Sequence, residues 1–203
     1  MKQTAGSWNP DERNIYFIAS DTDTLREGLQ THPYILCAIN EITNEKDLSW
    51  LTESAKNPDV RLFIDSGVFA LANGHAVAHK ISMDEALALA PTEIDGFDEL
   101  YKRYCSIIET LGELVWGYIE IDQGGRENKK ITRAKLEARG FRPIPVYHPF
   151  NDGWDYFDEL ASEYDRFVSA ISCRQNRRRA SGCWQQPGSE RRSIRAYGSI
   201  CWA

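Results

Sequence analysis

The five cysteines, Cys37, Cys105, Cys173, Cys183 and Cys201, include no Cys-x-x-Cys pair. Their odd number and wide spacing argue against a disulfide framework and against a cysteine zinc site. No apolar run approaches the roughly 20 residues needed to span a bilayer, so no membrane partner is expected. Residues 1–12 carry no apolar segment of the secretory type and read as a flexible lead-in. A reducing, cytoplasmic location follows as the expectation. No Gly-x-Gly-x-x-Gly turn follows the first strand candidate, which argues against a dinucleotide-binding domain. No cofactor is expected.

What is present describes an ordinary globular protein. The 203 residues are 42% hydrophobic and 27% charged. Net charge is −6, unevenly spread: residues 1–170 hold 17 Lys+Arg against 29 Asp+Glu, whereas residues 171–203 hold seven Arg, no Lys and one Glu. The acidic body does not advertise nucleic-acid binding, and the Arg-rich tail is a separate question.

Short apolar runs alternate with helical patterns. Strands are expected at Ile15–Ala19, Tyr34–Ile39, Val60–Asp65, Val115–Asp122, Pro143–His148 and, more weakly, Phe167–Ala170. Helices are expected at Thr24–Gln30, Lys46–Ala55, Met83–Ala90, Phe97–Leu111, Thr132–Arg139 and Trp154–Tyr164. Such βα alternation fits a parallel sheet, either open and doubly wound or closed as a (β/α)8 TIM barrel. Three successive strand candidates end in polar residues, Asp65, Asp122 and His148, and barrels collect catalytic groups on one rim in this manner. The expected fold class is therefore an α/β TIM-type barrel, incomplete, with about six βα units.

Val60 to Phe69 is the most informative run. A buried strand ends in Asp65-Ser66-Gly67, placing a carboxylate at its carboxyl end with a glycine to open the turn. The same residues also suit a plain turn in which Asp65 caps the next element. Asp122, followed by Gln123-Gly124-Gly125, could accept two N–H donors from a nitrogenous base or cap the Gly-Gly turn. His148 ends a strand containing Pro143 and Pro145 and could line the same pocket. His75 and His79 are four residues apart, a spacing that on a helix can bind zinc. Gly74 and the neighbouring residues read instead as a surface loop, and no metal is assigned.

Together these features resemble the tRNA-guanine transglycosylase superfamily, nearest to its small phage-type members linked to 7-deazaguanine modification of DNA. The matching residues are Asp-Ser-Gly-x-Phe (Asp65 to Phe69), a later strand ending in Asp122, Asn128 ahead of a helix, the Pro-Ile-Pro-Val-Tyr-His strand, and Tyr164-Asp165 before the next strand. The likeness covers about residues 14–168. It implies a (β/α)8 barrel, base exchange at an N-glycosidic bond, and nucleic acid and a purine-like base as partners. Carried over, Asp65 manages protons on the heterocycle, Ser66 and Gly67 shape its pocket, and Asp122 holds the purine-like edge. The family's attacking Asp, on a late strand, has no counterpart in the sequence, nor has its cysteine-rich zinc site. A transglycosylase-like protein, inactive or impaired, is the expectation. The competing readings are another barrel lyase or hydrolase using paired carboxylates, and a non-enzymatic remnant or basic-tailed binding protein.

Residues 169–203 lose apolar periodicity and are expected to be a disordered, Arg-rich tail. They also suggest an out-of-frame translation. In the frame that takes the last base of each codon with the first two of the next, Cys183-Trp184 and Cys201-Trp202 each force Leu. In that frame Trp184-Gln185 forces Ala and Trp202-Ala203 forces Gly. Ser193 to Ala203 then permits the apolar series Lys-Tyr-Pro-Arg-Ile-Trp-Ile-His-Leu-Leu-Gly. A frameshift near residues 167–170 is the reading this supports.

Overall fold

The computed structural model describes residues 17–19, 34–149, 151–172 and 199–202. The chain divides between Pro143 and Ile144 into two compact units.

The first unit is organised by strands β1 (Phe17–Ala19), β2 (Tyr34–Ala38), β3 (Arg61–Asp65) and β4 (Gly117–Tyr118), paired in that order and all parallel. In β3 the four residues from Leu62 to Asp65 are buried, the pattern of a parallel strand covered on both faces. The two-residue period sends Leu62 and Ile64 into a core with Ile35 and Cys37. It puts Asp65 on the opposite face, with Phe63.

Helices supply the rest of that core: α1 (Glu45–Ala55), α2 (Val68–His79), α3 (Met83–Ala88), α4 (Phe97–Leu111) and α5 (Gly125–Ala138). Each begins for a local reason. Asn44 caps α1 by accepting the Asp47 N–H (3.1 Å), and the Asp47 carboxylate accepts the Thr43 N–H in return. Ser82 and Glu85 form a reciprocal capping box on α3. In α4, Tyr104, Ile107, Ile108 and Leu111 recur at helical spacing and are buried. Tyr104 also donates its hydroxyl to the Ile119 carbonyl (2.7 Å), fixing the segment that follows β4.

The second unit holds β5 (Val146–Tyr147), helix α6 (Gly153–Glu163), β6 (Val168–Ser172) and β7 (Ser199–Trp202), with the strands paired β5-β6-β7 in parallel. Tyr147, Tyr156, Leu160 and Phe167 form its core.

The sequence expectation of a (β/α)8 TIM barrel is overturned. The described strands form one open sheet of four and one of three, and neither has the eight strands of a closed barrel. Two of the expected strands are also shorter. Pro143 and Pro145 have no N–H to donate, so only Val146–Tyr147 of the proline-rich run is ladder strand, with the Pro145 carbonyl accepting from Val168 (2.8 Å). The expected strand Val115–Asp122 contracts to Gly117–Tyr118, with Ile119 N–H still donating to the Ile64 carbonyl (2.8 Å); beyond it the Glu120 carboxylate pairs with Arg133 and the Gln123 amide with the end of α3.

Two smaller expectations also change. The segment containing His75 and His79 is helix α2, not a surface loop. Asn128 lies within α5, which starts seven residues before the expected Thr132. The expected helix Thr24–Gln30 lies outside the described residues. Of the expected tail, 169–172 belong to β6 and 199–202 form β7, while 173–198 and 203 lie outside the described residues. No helix among the described residues is long and apolar enough to cross a membrane.

Candidate functional site

Asp65 ends β3 and is only 5% exposed. Its Oδ2 accepts the Gly67 N–H (3.0 Å), and Ser66 Oγ accepts the Val68 N–H (3.4 Å), so both side chains satisfy donors at the start of α2. The capping role anticipated for this corner is therefore real. Gly67 makes it possible: its φ of +75° is left-handed, and a Cβ there would lie 3.0 Å from Asn40 Oδ1 and 3.1 Å from Ile39 Cγ1.

Capping alone would leave an acidic carboxylate, since N–H donors favour the charged form. Asp65 goes the other way. Burial, and next the negative charge of Asp122, push its carboxyl up to about 7, against the pull of the Gly67 and Ser66 N–H groups. A buried carboxyl that changes protonation state near neutrality is suited to general acid–base work.

Asp122 reaches this corner through strand pairing. Phe63 and Ile64 of β3 register with Gly117 and Tyr118 of β4, and the Ile119 N–H donates to the Ile64 carbonyl (2.8 Å). Asp122 lies three residues further on, half-buried, between the fully buried Ile121 and Gln123.

Gln123 locks the turn in place. Its Nε2 donates to the carbonyls of Ala86 and Leu89, both at 2.8 Å, and Gly124 N–H donates to Leu87 (3.0 Å). The loose carbonyls at the end of α3 are thereby satisfied. Gln123 Oε1 remains buried without a hydrogen-bond partner. Gly124, at φ +81°, is required by the same packing, because a Cβ would come within 2.8 Å of the Leu89 carbonyl. Asn128 Nδ2 closes the turn onto Gly124 O (2.7 Å).

Under this turn lies an ion pair the sequence reading missed. Glu120 is fully buried and accepts from Arg133 Nη1 (2.8 Å), itself 4% exposed. Lys129, one helical turn earlier on α5, is also fully buried. Glu120 lies between Ile119 and Ile121, and Lys129 and Arg133 are four residues apart. A lone acid inside an apolar run and a basic i, i+4 pair were the available signals.

Asp65, Ser66 and Gly67 thus form one corner of the first unit, and Asp122 lies near enough for its charge to act on Asp65. His148 belongs to the second, at the end of β5, where its backbone N–H donates to Asp152 Oδ2 (2.6 Å) and its carbonyl accepts from Asn151 and Asp152. That turn leads into α6.

The protein was compared with family models, curated proteins and solved structures, and none of them matches the chain.

Proposed function

We propose that the Asp65–Asp122 corner binds a guanine-type base and handles its protons, as in base exchange between guanine and a 7-deazaguanine in nucleic acid. The observation that carries this is the pair itself: a buried carboxyl at the end of β3, pushed up to about 7, and a half-buried carboxylate in the segment after the neighbouring parallel strand β4 whose charge acts on it. The guanine edge offers two neighbouring N–H donors, from N1 and the exocyclic amine, and the Asp122 carboxylate can accept both. Asp65 would then give or take a proton at the heterocycle as the N-glycosidic bond breaks or forms. No described residue is assigned to attack on the anomeric carbon, so the proposal covers base binding and proton transfer, with impaired or absent turnover by this chain. Ser66 and Gly67 act by holding Asp65 and the turn below it. A reducing cytoplasm suits the free, buried thiols of Cys37 and Cys105.

The test is base discrimination. Guanine and 7-deazaguanine should bind, and adenine, which turns a ring acceptor toward Asp122, should bind at least about 100-fold more weakly. Equal binding of adenine would refute the reading. It would favour a hydrolase or lyase built on the same carboxylate pair.

A further inference from the structure

At the end of α2 away from Asp65, two histidines and an aspartate converge. His75 and His79 lie one turn apart on the same helix face, with rings stacked at 4.1 Å between centroids. Asp95, in the segment leading into α4, reaches both: its Oδ2 is 2.7 Å from His79 Nε2 and 3.3 Å from His75 Nδ1. One ligand atom from each of the three residues lies within 4.8 Å of the others.

The three side chains come from two segments and turn their donor atoms to one point. The Asp95 backbone N–H donates to His75 Nδ1 (3.2 Å), which holds the nearly buried His75 ring, 6% exposed, with that nitrogen toward the Asp95 carboxylate 3.3 Å away. A cation seated among the three would be met by two imidazole nitrogens and a carboxylate oxygen.

From this geometry we propose that His75 Nδ1, His79 Nε2 and Asp95 Oδ2 bind a divalent transition-metal ion of the zinc type. The donor set, two imidazoles and one carboxylate, is one zinc accepts. Zinc bonds of about 2.0–2.1 Å in tetrahedral geometry place neighbouring donors about 3.3 Å apart. The His75–Asp95 separation already meets this, and His79 and Asp95 need to spread by a fraction of an ångström. On binding, the His75 lone pair turns from the Asp95 N–H to the metal, and His79 binds as the neutral ring with its proton on Nδ1, any second ring proton passing to solvent. His79 and Asp95 are 50% and 76% exposed, so an ion can enter and water can complete its shell. The ion would staple the last turn of α2 to the segment before α4. The 12-residue helix is about 18 Å long, which separates this cluster from the Asp65 corner at its other end. This proposal does not depend on base binding.

The experiment is calorimetric titration of the metal-stripped full chain with zinc chloride, followed by cobalt(II) substitution. One zinc per chain should bind. His79→Ala and Asp95→Ala should each weaken binding at least tenfold, and zinc should raise the melting temperature of the wild type but not of these variants. The cobalt form should show tetrahedral d–d bands without a thiolate charge-transfer band. Both altered side chains are exposed, so circular dichroism should match the wild type; His79→Gln serves as the milder replacement if His79→Ala does not fold. Absence of zinc binding, zinc binding unchanged in the His79→Ala, Asp95→Ala double variant, or a thiolate band in the cobalt form would overturn the proposal.

Discussion

Replacing Asp65 with Asn isolates the electrostatic cost on which the site reading rests. The folded-state carboxyl titrates at about 7, against 3.8 for the ordinary group. Between those values the folded protein holds a proton that the unfolded chain has released. Stability therefore falls as pH rises through this window, and the loss is complete above pH 7. The gap of about 3 pH units corresponds to at most about 4 kcal/mol. Asn keeps an oxygen for the Gly67 N–H and never ionises, so the penalty disappears. Urea unfolding of both proteins from pH 4 to 8 should show near-equal stability at the acid end. The variant should then gain steadily with pH, up to that limit. Carboxylates not coupled to Asp65 titrate alike in both proteins and cancel in the difference, so what remains is Asp65 with its neighbour Asp122. A difference that stays flat across the range, or that favours the wild type at pH 8, would refute the assignment of a raised Asp65.

Other expectations concern the supporting frame. Gly67→Ala forces a Cβ into a left-handed position against Asn40 and Ile39, and should cost about 1–2 kcal/mol in denaturant unfolding. Arg133→Met removes a buried charge partner of Glu120 inside the first unit. It should destabilise by about 3–5 kcal/mol, while the double variant with Glu120→Leu should recover most of that loss. If the double variant is no better than the single, the pair is not an isolated unit.

Much of the secondary structure was legible because it rests on local periodicity. Helix α4 falls at Phe97–Leu111 as expected, since its apolar residues keep a clear 3.6-residue rhythm and Gly96 and Gly112 bound it. Helix α2 was missed for the opposite reason. Val68 to His79 is apolar and small on nearly every side, so no stripe marks it, and Gly74 reads as a break. The barrel expectation failed on long-range pairing. Alternation of strand and helix specifies parallel neighbours but not the number of strands or their closure, which depend on pairing between residues far apart in sequence. Within the site, Asp65 was conspicuous as a carboxylate ending an apolar strand. Its proximity to Asp122 depended on the β3–β4 register. The anchoring of Gln123 onto α3 spans more than 30 residues of sequence and leaves no local trace.

The most direct test of the account is a calorimetric titration of 7-deazaguanine into the wild type and into Asp122→Ala at neutral pH. A carboxylate that accepts two N–H donors contributes on the order of 1.5–3 kcal/mol per bond. The variant should therefore bind at least about 100-fold more weakly while keeping the wild-type circular dichroism spectrum. Unchanged affinity in Asp122→Ala, or no binding by the wild type, would contradict the account.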